Sequence, residues 1–337
     1  MLSEAIGLDI GGANLKAATA SGWATTRPFE LWKYPERLAD ELTALTAELP
    51  KSGPVAVTMT GELCDCFATK LDGVRHILAA VVRAFGPARV RVWSTSGEFL
   101  TARDAEQRYL KVAAANWHAL ATFACRFAPA ATALLLDTGS TTTDVIPLAN
   151  GHPVPAGRTD PERLRTGELV YTGTRRTPVC AILGAEVVAE VFATALDVYL
   201  RLGLIPEEPD NFSTADGRPA TKSFAHARLS RMLGGDPELI SEPETDRLAH
   251  RAYMRQREML VSAMQRVAKR LSSFPNTLVV AGSGEHLAEA AATEFLAKHG
   301  NQTEMPQIVS LTKVAGAPVS HAACAYALAV LAAEADK

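Results

Sequence analysis

The sequence contains the same pattern of strand, turn and strand twice, and this repeat constrains the fold more than any other feature. One short apolar run ends at Asp9 and meets a glycine pair, and a second ends at Asp137 and meets Gly139. In both places strand-like sequence resumes within a few residues, which predicts a β-hairpin. The two hairpins lie about 128 residues apart. Two similar lobes that face each other across a central cleft are the simplest architecture with this repeat.

Length and charge agree with a two-lobed protein that handles small molecules. The chain has 337 residues, which exceeds what one hydrophobic core usually serves. Its 34 Lys and Arg residues against 37 Asp and Glu residues give a net charge of -3, without the sustained basic block that follows a nucleic acid. We therefore expect a small-molecule ligand and no nucleic-acid partner.

Neither a secretory signal nor a membrane span is evident, so we expect a cytoplasmic protein without a membrane partner. The most apolar stretch, at about residues 112–136, is interrupted by His118 and Pro129. Five scattered cysteines form no disulfide framework. Cys64 and Cys66 are spaced like a metal-binding pair, but no second pair completes a tetrahedral site, and metal binding there is left open. The oligomeric state is left open as well.

Strands and helices alternate along most of the chain, which predicts an α/β fold with mixed sheets flanked by helices. We expect one lobe from residues 1–128 together with the terminal segment 318–337, and a second lobe from residues 129–317. Apolar periodicity predicts long helices at residues 186–202 and 245–271.

Two further segments of the second half complete this outline. Residues 205–243 are rich in Pro, Asp, Gly and Ser and have little periodicity, which predicts a flexible insertion without regular elements. Residues 317–333 form an alanine-rich stretch that predicts one helix packed closely against a neighbour.

The first hairpin turn combines glycines with groups that suit a phosphate chain and its metal ion. Gly11 and Gly12 let backbone N–H groups approach a phosphate without a Cβ in the way. Asp9 can hold a hydrated Mg²⁺, while Asn14 and Lys16 can donate to phosphate oxygens. For such a segment taken alone, an ordinary hairpin turn is the alternative.

The second hairpin turn is richer in hydroxyl groups. Its residues are Asp137, Thr138, Gly139, Ser140, Thr141, Thr142, Thr143 and Asp144. Four consecutive hydroxyl residues place many short donors around one point, and Asp144 adds a carboxylate that can bind or orient a metal ion. A threonine-rich β-turn is the alternative, because threonine also favours strands. The presence of both loops in one chain favours paired phosphate binding.

A third glycine-containing loop lies where a predicted strand at residues 277–281 meets a helix. Gly282, Ser283 and Gly284 stand at the helix N-terminus, whose free N–H groups can bind an anion or an adenosine moiety. Leu287 occupies the place of the third glycine of G-x-G-x-x-G, and no G-x-x-x-x-G-K-[ST] occurs. A dinucleotide-binding fold is therefore disfavoured, and a P-loop NTPase is excluded.

Together these segments resemble the nucleotide-binding motifs of one superfamily. Residues 9–16, 137–144 and 279–284 resemble, in order and spacing, the phosphate-1, phosphate-2 and adenosine motifs of the actin-like ATPases, which include sugar kinases and Hsp70. Residues 137–145 look like the D-T-G-G-T-T-T-D-V of the hydantoinase/oxoprolinase family, with Ser140 in place of the second glycine. The resemblance implies a two-lobed, ribonuclease H-like α/β fold.

The opening of the chain is similar to one compact branch of that family. Residues 7–14, 59–63 and 115–117 carry this likeness to the branch that is associated with tetrahydromethanopterin-linked one-carbon transfer. Archaeal members of the branch act in methanofuran biosynthesis. They join an aminomethylfuran-methyl diphosphate to the phenol of glutamyl-tyramine and release diphosphate.

This resemblance leads to a hypothesis for the two hairpin loops in a Mg²⁺-dependent transferase. Asp9 and Asp137 would position Mg²⁺, with Asp144 as a further candidate. A departing Mg²⁺-diphosphate needs the same donors as the tail of ATP. The candidate donors are Asn14, Lys16, Thr141 and Thr142. ATP is the alternative ligand of the same loops.

Five residues outside the glycine loops are candidate contacts for the substrates. They are Glu62, Asp65, Asn116, Arg175 and Arg176. The two acids could hold the cationic amine of the furan, Asn116 with the neighbouring Trp117 could contact an aromatic ring, and the arginine pair could bind a glutamyl carboxylate. The alternatives are, in the same order, solvated acids in a turn, core packing and surface charge.

Two other functions fit the same loops. In the wider family they grip ATP, so an ATP-dependent kinase or an amide-ring hydrolase is the first alternative. A non-catalytic actin-like regulator, which uses nucleotide only as a conformational ligand, is the second. Such regulators usually carry a DNA-binding segment, and residues 1–5 are too short for one.

Overall fold

The computed structural model describes residues 4–299 and 307–335, which form two sheets with helices on their faces. The strands of these residues are β1 Ile6–Ile10, β2 Asn14–Thr19, β3 Ala24–Pro28, β4 Val55–Met59, β5 Val90–Trp93, β6 Phe99–Leu100, β7 Thr132–Thr138, β8 Thr143–Ala149, β9 His152–Pro153, β10 Leu169–Val170, β11 Thr277–Ala281 and β12 Gln307–Ser310. The first sheet has the order β3-β2-β1-β4-β5-β6. The second has the order β10-β8-β7-β11-β12, with β9 paired to β8.

Helices connect and cover these strands. They are α1 Leu38–Leu45, α2 Lys70–Phe85, α3 Ala102–Gln107, α4 Tyr109–Val112, α5 Asn116–Ala124, α6 Asp160–Thr166, α7 Val179–Leu183, α8 Ala195–Arg201, α9 Lys222–Met232, α10 Glu242–Ala268, α11 Glu285–His299, α12 Leu311–Ala315, α13 Ala317–His321 and α14 Ala323–Ala335. Within the described residues, none of them combines the length and the apolar character that a membrane crossing requires.

The two sheets repeat one strand arrangement. In the first sheet β1 runs antiparallel to β2 and parallel to β4. In the second sheet β7 runs antiparallel to β8 and parallel to β11. Each predicted hairpin is therefore present, and each lies at the centre of a mixed sheet. This confirms the α/β class and the two-sheet architecture.

Strand alternation assigns the two faces of each sheet to different cores. In β1, Ile6, Leu8 and Ile10 pack with α1 and α2 on the outer face of the first sheet. In β7, Leu134 and Leu136 pack with α10 and α11 on the outer face of the second sheet. On the opposite face of these two strands, Gly7 and Asp9 of β1 and Leu135 and Asp137 of β7 face the space between the sheets.

A further core fills that space and is built largely from α5 and α14. Leu120 of α5 and Leu328 of α14 meet Leu135 of β7 in this core. Gly7 in β1 lets α14 approach very closely, because a Cβ there would lie 1.8 Å from the carbonyl oxygen of Ala325. The two sheets are thus joined through packed helices at their base.

Three sequence-based helix predictions were wrong in part. The helix predicted at residues 186–202 is only α8, because α7 ends at Leu183 and the intervening chain is irregular. The segment 205–243, predicted to lack regular elements, contains α9. The alanine-rich helix predicted at 317–333 is broken at Ala322, where the backbone leaves helical geometry.

The helix α9 was missed because its buried side mixes polar and apolar residues. Leu229 and Met232 pack in the outer core of the second sheet. Next to them along the helix, Arg228 is 1% exposed and donates to Asp197 at 2.7 Å, and His226 lies 2.9 Å from Thr245 of α10. These buried polar residues interrupt the apolar periodicity that would have revealed this helix in the sequence.

Substitution of Gly7 by alanine tests the packing of α14 on β1. We expect Gly7→Ala to lower the free energy of unfolding by roughly 1–3 kcal/mol or more, the usual cost of overpacking, because its Cβ meets backbone rather than a flexible side chain. Urea unfolding followed by circular dichroism measures the change. Thr26→Ala, on the exposed edge strand β3, is the control and should change stability by about 0.5 kcal/mol or less. Equal effects of the two substitutions would contradict the close approach.

Candidate active site

The β1–β2 hairpin places Asp9 directly opposite Lys16. Directly opposed residues project from the same face of a sheet, so the carboxylate and the ammonium lie together on the face toward the second sheet. Asp9 is 5% exposed, and within the described residues its Oδ1 has no hydrogen-bond partner. Gly11 donates its N–H to the carbonyl of Asn14 at 3.0 Å, which closes the turn. The first hairpin thus presents the carboxylate of Asp9 and the ammonium of Lys16 side by side, next to a tight turn.

The loop that follows β4 covers Gly12. A Cβ at Gly12 would lie 2.7 Å from the Sγ of Cys64, so glycine is needed for this contact. Burial raises the pKa of Cys64 to about 11, and the nearby charge of Arg176 opposes the increase. Asp65 and Cys66 are exposed. Among the described residues, no group of three or more His, Cys, Asp or Glu side chains is arranged to hold a metal ion. Cys64 and Cys66 therefore belong to no such group.

The β7–β8 hairpin places Asp137 directly opposite Asp144, again on the face between the sheets. Asp144 is 7% exposed and forms an ion pair with Arg163. Arg163 also donates to Asp160 at 3.3 Å and lies 4.3 Å from the ring centre of Trp117. Of the three predicted metal ligands, Asp144 therefore has a protein partner for its charge.

The hydroxyl groups of the second loop divide into two sets. Ser140, Thr141 and Thr142 are half-buried in the turn, which the N–H of Gly139 closes by donating to the Thr142 carbonyl at 2.9 Å. Thr143 is fully buried and donates to the Thr172 carbonyl at 2.8 Å and to the Thr138 hydroxyl at 3.2 Å. Ser140, Thr141 and Thr142 are thus the hydroxyl residues of this loop that stay partly exposed, and their contact with a phosphate chain stays a prediction.

The third loop packs directly on the second. The N–H of Gly284 donates to the Thr138 carbonyl at 2.8 Å, and the N–H of Gly282 donates to the Ser320 hydroxyl at 3.1 Å. A Cβ at Gly282 would lie 2.3 Å from the same carbonyl of Thr138. We expected free amides here, but these two are bonded within the protein. Ser283 between them is half-buried, and ligand binding by this loop stays a prediction.

Three acids and one lysine determine the electrostatics of the cleft. Burial raises the pKa of Asp9, an increase that Lys16 opposes and Asp144 reinforces. Burial and the charge of Asp144 raise the pKa of Asp137 to about 7, while Lys16 opposes the increase. Burial alone would lower the pKa of Lys16, but the nearby acids, Asp9 first and then Asp137, outweigh it, and the net pKa is raised. Burial thus disfavours the ionised form of the acids, and a bound cation would favour it.

The residues present fit a bound Mg²⁺. Mg²⁺ is usually held by one or two carboxylates together with water and phosphate oxygens, rather than by a cage of protein ligands. Asp9 offers an oxygen without a protein partner, and Asp137 lies on the facing hairpin. Buried carboxylates with raised pKa values bind a cation in exchange for their protons. We regard these two as the residues that would hold the ion.

Cys324 of α14 is a site residue that the sequence did not reveal. Its thiol lies 3.5 Å from Oδ2 of Asp137 and donates to it, and the side-chain amide of Asn116 lies 3.8 Å from the same sulfur. Asn116 is the first residue of α5, so the N-terminus of this helix lies close to Cys324. Asn116 is therefore near the loops, but through Cys324 rather than at an exposed substrate surface. A cysteine in an alanine-rich segment carries no signal for such a role.

Glu62 is buried behind the first loop, while Asp65 is exposed. Oε1 of Glu62 lies 3.7 Å from Nζ of Lys70, and Oε2 of Glu62 has no partner within the described residues. Burial raises the pKa of Glu62 to about 7, Lys70 opposes the increase, and the charge of Asp160 across the cleft contributes to it. The structure therefore separates the two acids that we grouped as amine ligands, and both roles stay predictions.

Arg175 and Arg176 lie beside the second loop. Both donate their backbone N–H to the carbonyl of Ser140, at 3.0 Å and 2.9 Å. The guanidinium of Arg175 is paired with Glu208, a residue of the insertion, while the side chain of Arg176 is exposed. Glu208 thus already pairs with the guanidinium of Arg175, and the contact of the two arginines with a substrate carboxylate stays a prediction.

Two hairpins with buried acids that face one cleft between mixed sheets define a protein of the actin-like class. The chain belongs to the hydantoinase/oxoprolinase family, whose sequence model matches residues 54–323. Among solved structures, nucleotide-free acetone carboxylase aligns with 88% of this chain and 46% of its own, at 16% identity and a TM-score of 0.50. That likeness shows the fold alone.

Two curated relatives share one name, (4-{4-[2-(gamma-L-glutamylamino)ethyl]phenoxymethyl}furan-2-yl)methanamine synthase. The relative from Methanocaldococcus jannaschii is 34% identical over 337 residues, which cover 97% of this chain and 96% of the relative. The relative from Methanococcus vannielii is 30% identical over 206 residues, which cover 59% of this chain and 89% of the relative.

The raised pKa of Asp137 predicts how stability depends on pH in the absence of metal. Its folded-state pKa is about 7 against an ordinary value of 3.8, so the folded protein keeps a proton that the unfolded chain loses. Stability should therefore fall as pH rises from about 4 to about 7. We expect Asp137→Asn to remove this loss and to be more stable than the wild type at pH 8 with EDTA, by on the order of 1–3 kcal/mol.

Urea unfolding at pH 5 and pH 8 measures this difference. Asp40→Asn is the control, because Asp40 is exposed and pairs only with a surface arginine, Arg83. Asp137→Asn should weaken the pH dependence, whereas the control should keep that of the wild type. The same pH dependence in all three proteins would show that Asp137 is ionised throughout this range.

Proposed function

We propose that this protein is a transferase of methanofuran-type cofactor biosynthesis. It would condense an aminomethylfuran-methyl diphosphate with the phenol of a glutamyl-tyramine or tyrosine-type acceptor and release diphosphate. The product would belong to a carrier of one-carbon units that works with tetrahydromethanopterin. The identity of 34% to the synthase from Methanocaldococcus jannaschii, over nearly the full length of both chains, supports this reaction.

One structural observation carries the proposal, namely the two facing hairpins. Asp9 and Lys16 project from one sheet, and Asp137 and Asp144 project toward them from the other. Each residue of this set influences the pKa of at least one other, so the four side chains share one small region. Such a region suits the several negative charges of a metal-bound diphosphate.

Each group would have a distinct part in the departure of diphosphate. Asp9 and Asp137 would hold Mg²⁺, which when bound supplies positive charge to the leaving oxygens. Lys16 would donate to the diphosphate from the first hairpin. The hydroxyls of Thr141 and Thr142, with Asn14, would donate to its remaining oxygens. The two hairpins fix the backbone of these donors, so the protein would need little rearrangement as negative charge develops on the diphosphate.

The bond changes are those of an ether synthesis. The bond between the furan methylene carbon and the diphosphate oxygen breaks, and its electron pair leaves with the diphosphate. A bond forms between the same carbon and the phenol oxygen, whose proton passes to a base. The furan ring donates electron density to the methylene carbon, so stabilising the leaving group is the main requirement on the protein. For the aminomethyl group, the buried Glu62 and the exposed Asp65 are separate candidates.

Product analysis tests the function directly. Purified protein with Mg²⁺, an aminomethylfuran-methyl diphosphate and γ-glutamyl-tyramine should form the ether and diphosphate in equal amounts. We expect Asp9→Asn and Asp137→Asn each to reduce turnover on the order of a hundredfold or more, because each removes a carboxylate that would hold the Mg²⁺ needed by the leaving group. Mass spectrometry of the ether and an enzymatic assay of diphosphate provide the two readouts.

Controls separate this function from its alternatives. Asp40→Asn, on the exposed side of α1, should retain wild-type turnover. Incubation with ATP in place of the organic diphosphate should release neither ADP nor phosphate at a comparable rate. Rapid ATP hydrolysis without ether formation would refute the transferase and favour the kinase or amide hydrolase. Nucleotide binding without any turnover would favour a regulator.

A further inference from the structure

The ion pair of Arg175 and Glu208 lies in the second lobe and has no part in the reaction described above. The guanidinium and the carboxylate meet in a bidentate pair, with Nη1 of Arg175 3.0 Å from Oε2 of Glu208. Their side chains are 36% and 30% exposed. Hydrogen bonding to Arg175 lowers the pKa of Glu208, so the pair is ionised at neutral pH. The two opposite charges are thus joined by two hydrogen bonds and are partly exposed to solvent.

Both partners keep hydrogen-bonding capacity that the protein does not use. Within the described residues, Arg175 donates only through Nη1 and Nη2, both to Glu208, which leaves the Nε edge available. Oε2 of Glu208 accepts from Arg175 and, at 2.6 Å, from Asn211, whereas Oε1 accepts only from Arg175. The pair therefore keeps one donor edge and one acceptor oxygen with spare hydrogen-bonding capacity, on side chains that are partly exposed.

The pair is held next to the phosphate-2 loop from two sides. The backbone of Arg175 donates to Ser140 at 3.0 Å, and its carbonyl accepts from Leu196 at 3.2 Å. Glu208 donates its N–H to Ala220 at 2.9 Å, and Ala220 donates in turn to Asn211. The position of this pair is therefore set by the backbone of both the cleft and the insertion.

Opposite charges side by side discriminate among ligands. A carboxylate alone would gain Arg175 but meet the negative charge of Glu208. An ammonium alone would gain Glu208 but meet the positive charge of Arg175. An α-amino acid carries its ammonium and its carboxylate on the same carbon atom, so it can satisfy Arg175 and Glu208 together.

We propose that Arg175 and Glu208 bind the α-amino-acid head group of the phenolic acceptor. Arg175 takes the carboxylate on its Nε edge, and Glu208 takes the ammonium on Oε1. This inference rests on the proposed function and identifies the acceptor class as phenols that carry a zwitterionic end. The zwitterion can come from a γ-glutamyl group or from tyrosine itself, and both present the same two charges.

Four acceptors that differ only in the charged groups at the end of the acyl chain test the pair. They are γ-glutamyl-tyramine, glutaryl-tyramine without the ammonium, 4-aminobutyryl-tyramine without the carboxylate, and butyryl-tyramine without either group. A fifth acceptor, tyrosine, distinguishes the two sources of the zwitterion. Steady-state KM and kcat are measured for each, together with acceptor binding by titration calorimetry in the absence of the diphosphate.

The wild type should prefer γ-glutamyl-tyramine or tyrosine to all acceptors with one charge. Glu208→Gln should reduce the preference for γ-glutamyl-tyramine over glutaryl-tyramine about ten- to a hundredfold, mostly through KM, because one charged hydrogen bond is lost. Arg175→Gln should do the same for the preference over 4-aminobutyryl-tyramine, and Arg175→Lys should restore part of it. Glu238→Gln, which removes an exposed charge from the same insertion, should retain every preference.

Other outcomes would overturn the inference. If Glu208→Gln weakened all four tyramine acceptors by one factor, the pair would be structural. If the wild type used the four acceptors equally, the head group would not be recognised at all, although the transferase would stand. If no acceptor gave product, the proposed function would fail, and calorimetry would show separately whether Glu208→Gln changes the binding of the zwitterion.

Discussion

Three carboxylates brought together between two lobes are the constraint on which the structure depends. Asp9 faces Asp137 and Asp144 across the cleft, and a buried charge is costly unless it is paired. Lys16 and Arg163 supply two positive charges against three acids. A bound divalent cation would offset the remaining negative charge, so the two hairpins must be held at a suitable separation. The packed core of α5 and α14 beneath them provides that separation.

The hairpins and their faces could be predicted because their signals are local. A strand of five to seven residues, a glycine turn and a second strand lie within one short segment, and alternation then fixes which residues share a face. Asp9 and Gly7 share one face of β1, and Asp137 and Leu135 share one face of β7. The same alternation that directs the acids into the cleft directs their neighbours into the core between the lobes.

The partners of the site residues could not be predicted, because they are distant in sequence and unremarkable in type. Cys324 donates to Asp137 from an alanine-rich helix, and Glu208 pairs with Arg175 from a segment that reads as loop. The same reason explains why α9 was missed. Its buried side includes His226 and Arg228, whose charges or polar atoms are satisfied by residues of other elements. Apolar periodicity detects helices only where the partner surface is apolar.

The residues proposed to handle phosphate and those proposed to recognise the acceptor lie on separate segments of the chain. The acids and hydroxyls of the cleft belong to two hairpins that are fixed by their own ladders. Glu208 belongs to the insertion, which is anchored independently through the ion pair of Arg228 with Asp197 of α8. Arg175 lies at the junction, since its backbone bonds to Ser140 of the phosphate-2 loop and its side chain to Glu208. A change in the insertion would therefore alter which acceptor is bound without moving the groups proposed to act on the diphosphate. A change in the hairpins would affect both, because Ser140 also positions Arg175.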